Sequence, residues 1–235
     1  MVNTGARKID GIIFDKDGTL FDFHTTWSAW AHGVIVSLTG GDADHAARMA
    51  DAMDFDLVTR RYRPTSPLIA CTNREAAEHV ARALPGRSVD EIELYLSQSS
   101  LDVPQAEAVP LGPFLAGLTQ AGIATGVVTN DTEAGARAHL DKAGVLESFA
   151  FVAGFDSGHG AKPEPGGLLA FARVTGLDPS RVAMVGDSTH DLHAGRVAGM
   201  ITIGVLTGPA TEPDLTPHAD IVLPDIGHIS GWLAA

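Results

Sequence analysis

Two patterns of hydrophobic and polar positions divide the chain. From Pro110 onward, short apolar runs such as GVV, AMV and ITIGVL alternate with segments in which apolar residues recur every three or four positions. Short apolar runs are typical of buried strands, and three-to-four spacing is typical of helices that bury one face. Strands that alternate with helices in this way favour a parallel sheet covered by helices on both faces. We therefore predict an α/β core with a Rossmann-like parallel sheet.

The stretch between the first apolar run and this alternating region has helical spacing throughout. Four segments carry it, with Asn73 and Ser88 as candidate N-caps, and no convincing strand is predicted there. The first apolar run, residues 12–14, is typical of a strand and belongs with the later sheet. A helical unit therefore interrupts one α/β domain. The predicted division is a core of residues 1–20 and 105–235, opened by a short polar lead-in, and a helical cap domain of residues 21–104.

The first predicted strand ends in acidic residues. Asp15 and Asp17 follow its apolar run, and Gly18 and Thr19 then turn the chain. Two carboxylates held close together in a half-buried place repel each other and lose solvation, unless a positive charge is nearby. A hard divalent cation with oxygen ligands is the usual solution. The alternative is an ordinary Asp-x-Asp-Gly surface turn, and the apolar run before the motif argues against it.

Polar residues also stand where later strands meet their following turns. Thr129 and Asn130 follow GVV, Asp187 follows AMV with Asp191 shortly after it, and Lys162 opens the helix between them. Taken singly, each has an ordinary explanation as a helix cap, a solvated turn or an exposed helix acid. The carboxyl ends of parallel strands converge at one sheet edge, so these residues can meet the two aspartates of the first strand. Such a set suits a phosphate group together with a divalent metal.

Four motifs in this order resemble those of the haloacid dehalogenase superfamily. They are DKDGT from Asp15, VVTN ending at Asn130, AKPEP around Lys162 and GDSTHD from Gly186. The resemblance spans nearly all of the core, and it is to the phosphoglycolate phosphatase-like group with a helical cap after the first strand. One departure is Lys16, where the family more often has an apolar or aromatic residue. We expect Lys16 to point away from the acids, because side chains alternate along a strand, and so to leave the chemistry unchanged.

The resemblance implies a role for each residue of the motifs. Asp15 would be the nucleophile that attacks phosphorus, and Asp17 would protonate the leaving alcohol and then activate water. Thr129 and Asn130 would hold the transferring phosphoryl group. Lys162 would neutralise both that group and the nucleophile.

The resemblance also implies a Mg²⁺ site. Its ligands would be Asp15, the backbone carbonyl of Asp17 and the side chain of Asp187. Asp191 would bind the ion through water or support the other ligands.

Substrate contacts from the helical stretch are weakly marked in the sequence. His24, Thr25, Trp27 and Trp30 follow the acidic motif closely enough to face it, and His24 and Trp27 are the candidates that we keep. Two tryptophans three residues apart are more often a packed helix face.

The composition limits partners and location. Lys and Arg number 16 against 29 Asp and Glu, and the net charge of −13 disfavours nucleic acid and anionic membranes as partners. No apolar stretch approaches the ~20 residues that span a bilayer. The single cysteine, Cys71, excludes an internal disulfide, and with no signal peptide near Met1 this favours the cytoplasm. The expected assembly is a monomer or a homodimer.

Together with the family resemblance, these observations predict a Mg²⁺-dependent phosphatase that hydrolyses a small phosphorylated metabolite. The resemblance implies an aspartyl-phosphate intermediate, and it makes phosphoglycolate the first substrate to try. An acid at Asp17 favours phosphate esters over carbon–halogen bonds, because a halide leaving group needs no proton. Two alternatives stay open. One is a phosphosugar mutase of the β-phosphoglucomutase type, which would use the same motifs but exclude water. The other is a non-catalytic module that binds phosphoryl groups.

Overall fold

A computed structural model describes residues 9–63 and 65–234, so residues 1–8 of the predicted lead-in lie outside the described part. The strands in chain order are β1 (Gly11–Phe14), β2 (Phe55–Asp56), β3 (Arg61–Tyr62), β4 (Ala124–Val128), β5 (Phe151–Ala153), β6 (Val182–Gly186), β7 (Ile201–Val205) and β8 (Ile221–Leu223). The helices are α1 (Phe23–Thr39), α2 (Ala43–Ala52), α3 (Asn73–Ala83), α4 (Val89–Ser100), α5 (Leu111–Gln120), α6 (Glu133–Lys142), α7 (Gly166–Thr175), α8 (Thr189–Val197), α9 (Glu212–Leu215) and α10 (Ile229–Ala234). None of the helices described is both long enough and apolar enough to cross a membrane.

The main sheet confirms the predicted α/β core. Its strands run parallel in the order β5-β4-β1-β6-β7-β8. β1 lies between its two partners, and Ile12 pairs with Thr125 of β4 on one side and with Ala183 of β6 on the other. Side chains alternate across the sheet, so Ile12 and Phe14 pack in one core cluster and Ile13 packs in another. Burial on both faces explains why β1 is a continuous apolar run.

The insertion between β1 and α5 has a core of its own. Buried side chains from α1 to α4 pack together, and the members of this cluster all fall between residues 23 and 103. The prediction that this stretch contains no strand is wrong, because β2 and β3 pair as an antiparallel hairpin in which Phe55 lies opposite Tyr62. Each strand has two residues, too few to show the alternation by which a strand is recognised in a sequence.

The helix starts of the insertion follow the predicted caps in one of two cases. Ser88 caps α4 through a capping box with Glu91, as predicted. α3 is instead capped by Thr72, whose box partner is Glu75, and Asn73 is the first residue of the helix. A threonine followed three residues later by a glutamate is the stronger signal, because both side chains then satisfy free backbone donors.

Two neighbouring segments connect the insertion to the core. The backbone N–H of Asp22 donates to the carbonyl of Ala106 at 2.8 Å, and that of Ala108 donates to the carbonyl of Leu20 at 2.9 Å. The outgoing and returning chains therefore run side by side just after β1. Phe21, between them, is fully buried in the core. This pairing holds the insertion next to the carboxyl edge of the sheet.

Candidate active site

Three adjacent strands bring the predicted site residues together at their carboxyl ends. Asp15 follows β1, Thr129 follows β4 and Asp187 follows β6, and these strands are neighbours in the sheet. Lys162 lies in the loop before α7, and Asp191 lies in the first turn of α8. All five side chains are buried. The sheet edge therefore collects an ammonium, a hydroxyl and three carboxylates in one place.

The ammonium of Lys162 joins two of these carboxylates. Its Nζ lies 2.6 Å from Asp15 Oδ1 and 2.7 Å from Asp191 Oδ1, and its side chain is 4% exposed. Burial alone lowers the pKa of a lysine, but the charges of Asp15 and Asp191 outweigh that effect and raise the pKa of Lys162. Lys162 therefore stays charged and partly neutralises the acids around it.

Three buried carboxylates form a candidate metal site. Oxygens of Asp15, Asp187 and Asp191 all lie within 4.8 Å of one another. Burial raises the pKa of Asp15 to about 7, against the opposing charge of Lys162. Burial, followed by the charges of Asp15 and Asp191, raises the pKa of Asp187 well above its usual value. One ammonium does not balance three carboxylates, so the site favours a further positive charge.

Two glycines make the space in which the Asp187 carboxylate sits. A Cβ on Gly18 would lie 2.4 Å from Asp187 Oδ2, and a Cβ on Gly208 would lie 1.7 Å from the same atom. Gly18 also has a φ of 81°, in the left-handed region that glycine adopts without strain. The donor atoms gathered in this space are carboxylate oxygens. Such a set fits a hard divalent cation better than a softer transition metal.

Asp191 is held in place by the first turn of its own helix. Its Oδ2 accepts hydrogen bonds from the Ser188 backbone N–H at 3.0 Å and from the Ser188 hydroxyl at 2.7 Å. Its Oδ1 is then left beside Lys162 and the other acids. Asp191 thus stands in the same cluster as Asp15 and Asp187, whereas the Asp17 side chain lies outside that cluster.

Asn130 connects the lysine loop with the insertion. Its Nδ2 donates to the carbonyl of Lys162 at 2.9 Å and to the carbonyl of Ala70 at 3.0 Å, while its Oδ1 accepts from the Lys162 N–H at 2.8 Å. The predicted contact of Asn130 with a phosphoryl group stays a prediction. The structure shows in addition that Asn130 positions the backbone of Lys162. The helix-cap explanation is wrong for Thr129 and Asn130, because Thr132 caps α6.

Lys16 points toward the acids, so the expectation from strand alternation is wrong. Its side chain is fully buried, and its Nζ lies 2.8 Å from Asp17 Oδ1, 2.7 Å from Asp17 Oδ2 and 3.2 Å from Asp131 Oδ2. β1 ends at Phe14, and the carbonyl of Lys16 already accepts from the Leu20 N–H at 3.0 Å in the following turn. A long side chain that leaves a turn is not confined to the two faces of the sheet.

Trp27 and His139 complete the surroundings of Lys16. The ammonium lies 5.3 Å from the centre of the Trp27 ring, and Trp27 Nε1 donates to Asp17 Oδ1 at 2.8 Å. His139 Nδ1 accepts from Lys16 at 3.1 Å, which leaves its Nε2–H to donate to the carbonyl of Ser100 at 2.9 Å. Burial and then the charge of Lys16 lower the pKa of His139. Burial lowers the pKa of Lys16, but the carboxylates beside it raise it overall. The result is a charged lysine against a neutral histidine.

Comparison with known proteins identifies the family. Residues 88–205 match the family model of the haloacid dehalogenase-like hydrolases. A protein of Dickeya dadantii named Probable phosphatase IndB is 41% identical over 218 residues, which cover 91% of this chain and 88% of the relative. The chain belongs to the haloacid dehalogenase-like hydrolases.

Two further comparisons concern a named relative and a solved structure. The phosphoglycolate phosphatase of Neisseria meningitidis is 29% identical over 227 residues, or 95% of this chain and 91% of the relative. The structure of β-phosphoglucomutase from Clostridium difficile has a TM-score of 0.68 at 16% identity, and the match covers 96% of this chain and 97% of that one. This second likeness concerns the fold alone. The predicted family and fold are thus confirmed, and the residue roles that the resemblance implies stay predictions.

A cavity lies between the core acids of this hydrolase and its helical insertion. It encloses about 950 Å³, its open mouth included, and Asp15 and Asp17 line it on the core side. Trp27 lines it from the insertion, so this residue both packs on the helix face and donates to the site. His24, the other candidate from the insertion, does not line the cavity, and its ring packs edge-on against that of Phe23 at 5.8 Å.

Proposed function

We propose that this protein is a Mg²⁺-dependent phosphatase that hydrolyses a small phosphate monoester through an aspartyl-phosphate on Asp15. The observation that carries this proposal is the contact of Lys162 Nζ with Asp15 Oδ1 at 2.6 Å, beside two further buried carboxylates. The expected enzyme class, a hydrolase of phosphoric monoesters, is confirmed by relatives named phosphatase and phosphoglycolate phosphatase.

The proposed reaction has two displacements at phosphorus. A carboxylate oxygen of Asp15 bonds to phosphorus as the bond from phosphorus to the leaving oxygen breaks, and Asp17 gives its proton to that oxygen. In the second step Asp17 takes a proton from water, the water oxygen bonds to phosphorus, and Asp15 is released together with inorganic phosphate. Lys162 lies against Asp15 and offsets the negative charge of the transferring group. The buried hydroxyl of Thr129 would contact the same group.

The cation would be held by Asp15, Asp187 and Asp191, with the backbone carbonyl of Asp17 as a further ligand. The oxygen donors and the excess of buried negative charge support Mg²⁺ as the ion. When bound, Mg²⁺ supplies positive charge that stabilises the phosphoryl oxygens. Asp191 would then be a direct ligand, a closer role than the sequence implies.

In the proposed organisation, the core, residues 1–20 and 105–235, carries out the chemistry. The cap, residues 21–104, covers the site. The separate clusters of buried side chains and the paired connecting segments support this division. A small phosphorylated molecule is the proposed partner. A cytoplasmic location and a monomeric or homodimeric state complete the proposal.

Release of inorganic phosphate from a panel of phosphate monoesters tests the proposal. The parent protein should release phosphate with Mg²⁺ and stop in excess EDTA. Asp15→Asn should release none, because an amide is a poor nucleophile toward phosphorus. Asp51→Asn is the matched control, since Asp51 is exposed on α2 and does not line the cavity. Parental turnover by Asp15→Asn would contradict the assigned nucleophile. Conversion of β-glucose 1-phosphate to glucose 6-phosphate in preference to phosphate release would favour the mutase alternative.

A further inference from the structure

The cavity beside the acids has two ends of different character. Carboxylates line the core end, whereas the insertion end is mostly apolar and includes Trp30, Tyr62, Ile69, Val80 and Leu96. Val80 and Leu96 belong to the buried cluster of the insertion, so the cavity reaches into the helical bundle.

Positive charge is scarce on the wall of this cavity. Among the described residues that line it, the only lysine or arginine is Lys162, whose ammonium is already bound by Asp15 and Asp191. His190 also lines the cavity and is exposed to solvent. Lys16 is fully buried beneath the site and does not line the cavity. A second anionic group on a substrate would therefore lose hydration there without gaining a cationic partner.

We propose that the substrate is a phosphate monoester of an uncharged alcohol with an apolar, aromatic face, and not a phosphorylated hydroxy acid such as phosphoglycolate. The inference rests on the proposed function, because it concerns the leaving group at the same site. An aromatic group that extends past Asp15 meets the rings of Trp30 and Tyr62 and the aliphatic side chains around them. It is stabilised there by leaving water and by ring contacts. A carboxylate in the same place is repelled by the acids of the core end.

Two pairs of phosphate esters test this inference on the parent protein with Mg²⁺. Ethyl phosphate is compared with 2-phosphoglycolate, in which a carboxylate replaces the methyl group. Benzyl phosphate is compared with 4-carboxybenzyl phosphate, in which a carboxylate replaces a ring hydrogen. All four leaving groups are primary alcohols, which keeps the demand for a proton similar. We expect each carboxylate to lower kcat/KM at least about tenfold, and the benzyl ester to exceed the ethyl ester by a similar factor.

A substitution in the cavity wall tests whether missing positive charge is the cause. Ile69→Arg adds a cation beside the apolar end, and it should raise the ratio of kcat/KM for 4-carboxybenzyl phosphate over benzyl phosphate at least about tenfold. Val58→Arg is the matched control, because Val58 is 93% exposed and does not line the cavity. Leu68→Lys repeats the test from a neighbouring lining residue should Ile69→Arg fold poorly.

The outcomes separate this inference from the proposed function. The inference would be overturned by a higher kcat/KM for 2-phosphoglycolate than for ethyl phosphate, or by equal values for benzyl and ethyl phosphate. Either result would leave the proposed phosphatase function standing. An unchanged ratio in folded Ile69→Arg and Leu68→Lys would overturn the assigned cause. Absence of phosphate release from all four esters and from p-nitrophenyl phosphate would overturn the proposed function, and the inference with it.

Discussion

Lys16 Nζ lies 2.8 Å from Asp17 Oδ1 and 2.7 Å from Asp17 Oδ2, so a sequence neighbour holds the carboxylate that we propose as general acid and base. Trp27 Nε1 donates to the same Oδ1 at 2.8 Å. Two donors from different directions restrict the rotation of a short side chain. The orientation of Asp17 at the cavity wall therefore depends on Lys16 and Trp27.

We expect Lys16→Met to lower the turnover of alkyl phosphates about 10- to 100-fold, because Asp17 loses a donor that orients it. Turnover of p-nitrophenyl phosphate should fall less, since its leaving group hardly needs a proton. Rates on the two substrates measure the difference. Lys142→Met is the matched control, because Lys142 pairs with Asp102 at the surface. Equal losses on both substrates would argue against a role that acts through Asp17.

Asparagine substitutions of Asp15 and Asp17 should impair different steps of the reaction. Asp17→Asn keeps the nucleophile but removes the proton donor and the base, which is typically worth about 10²–10⁴ in rate. With p-nitrophenyl phosphate the first displacement should survive better than the second, so an aspartyl-phosphate should accumulate on Asp15. Intact-protein mass spectrometry would show one added phosphoryl group, discharged by hydroxylamine. A phosphoryl group found on another residue would refute the assignment of Asp15.

The stabilisation of metal-free protein by added Mg²⁺ should grow as the pH rises through about 7. Burial raises the pKa of Asp15 to about 7, so at pH 6 this carboxyl mostly holds a proton and at pH 8 it mostly does not. A cation that binds the carboxylate displaces that proton, and its affinity therefore rises with pH. Thermal unfolding of EDTA-treated protein, with and without Mg²⁺, measures the effect. Asp15→Asn should flatten it, and an equal shift at both pH values in the parent would count against Asp15 as a ligand.

The same pKa affects the stability of the metal-free protein. The folded-state pKa of Asp15 lies above its ordinary value of 3.8, so between about pH 4 and about pH 7 the folded state keeps a proton that the unfolded state has lost. The contribution of Asp15 to the free energy of unfolding therefore falls as the pH rises across this interval.

Cys71→Ser should leave turnover within a few-fold of the parent value. Cys71 is remote from the motifs in sequence, yet the structure places it on the wall of the cavity. Burial, followed by the charge of Glu75, raises the pKa of its thiol to about 12, so the thiolate that a nucleophile requires is absent at neutral pH. Steady-state rates on one alkyl phosphate check this. Loss of activity in a variant that unfolds like the parent would mean that the nucleophile is misassigned.

The parts of the site that the sequence predicts are those with a local cause. Asp15, Thr129 and Asp187 each follow an apolar run that ends at a turn, and strands of a parallel sheet must present those ends together. The direction of Lys16 has no such cause, because it is set after the strand ends and by partners far away in sequence. His139 is one of these partners, 123 residues away and in the last turn of α6, where a buried histidine looks like any other polar residue.

The paired segments at residues 20–22 and 106–108 have a consequence for how new specificities arise. Leu20 and Ala108 are joined by a backbone hydrogen bond, and among the described strands β1 pairs with β4 and β6. A short turn across this gap would close the chain without altering the order of the sheet. The helical unit can therefore be replaced by another insertion while the sheet keeps its strand order. Replacing it would change the apolar wall of the cavity and leave the core acids and Lys162 in place, but a new unit would have to supply the donor that Trp27 gives to Asp17.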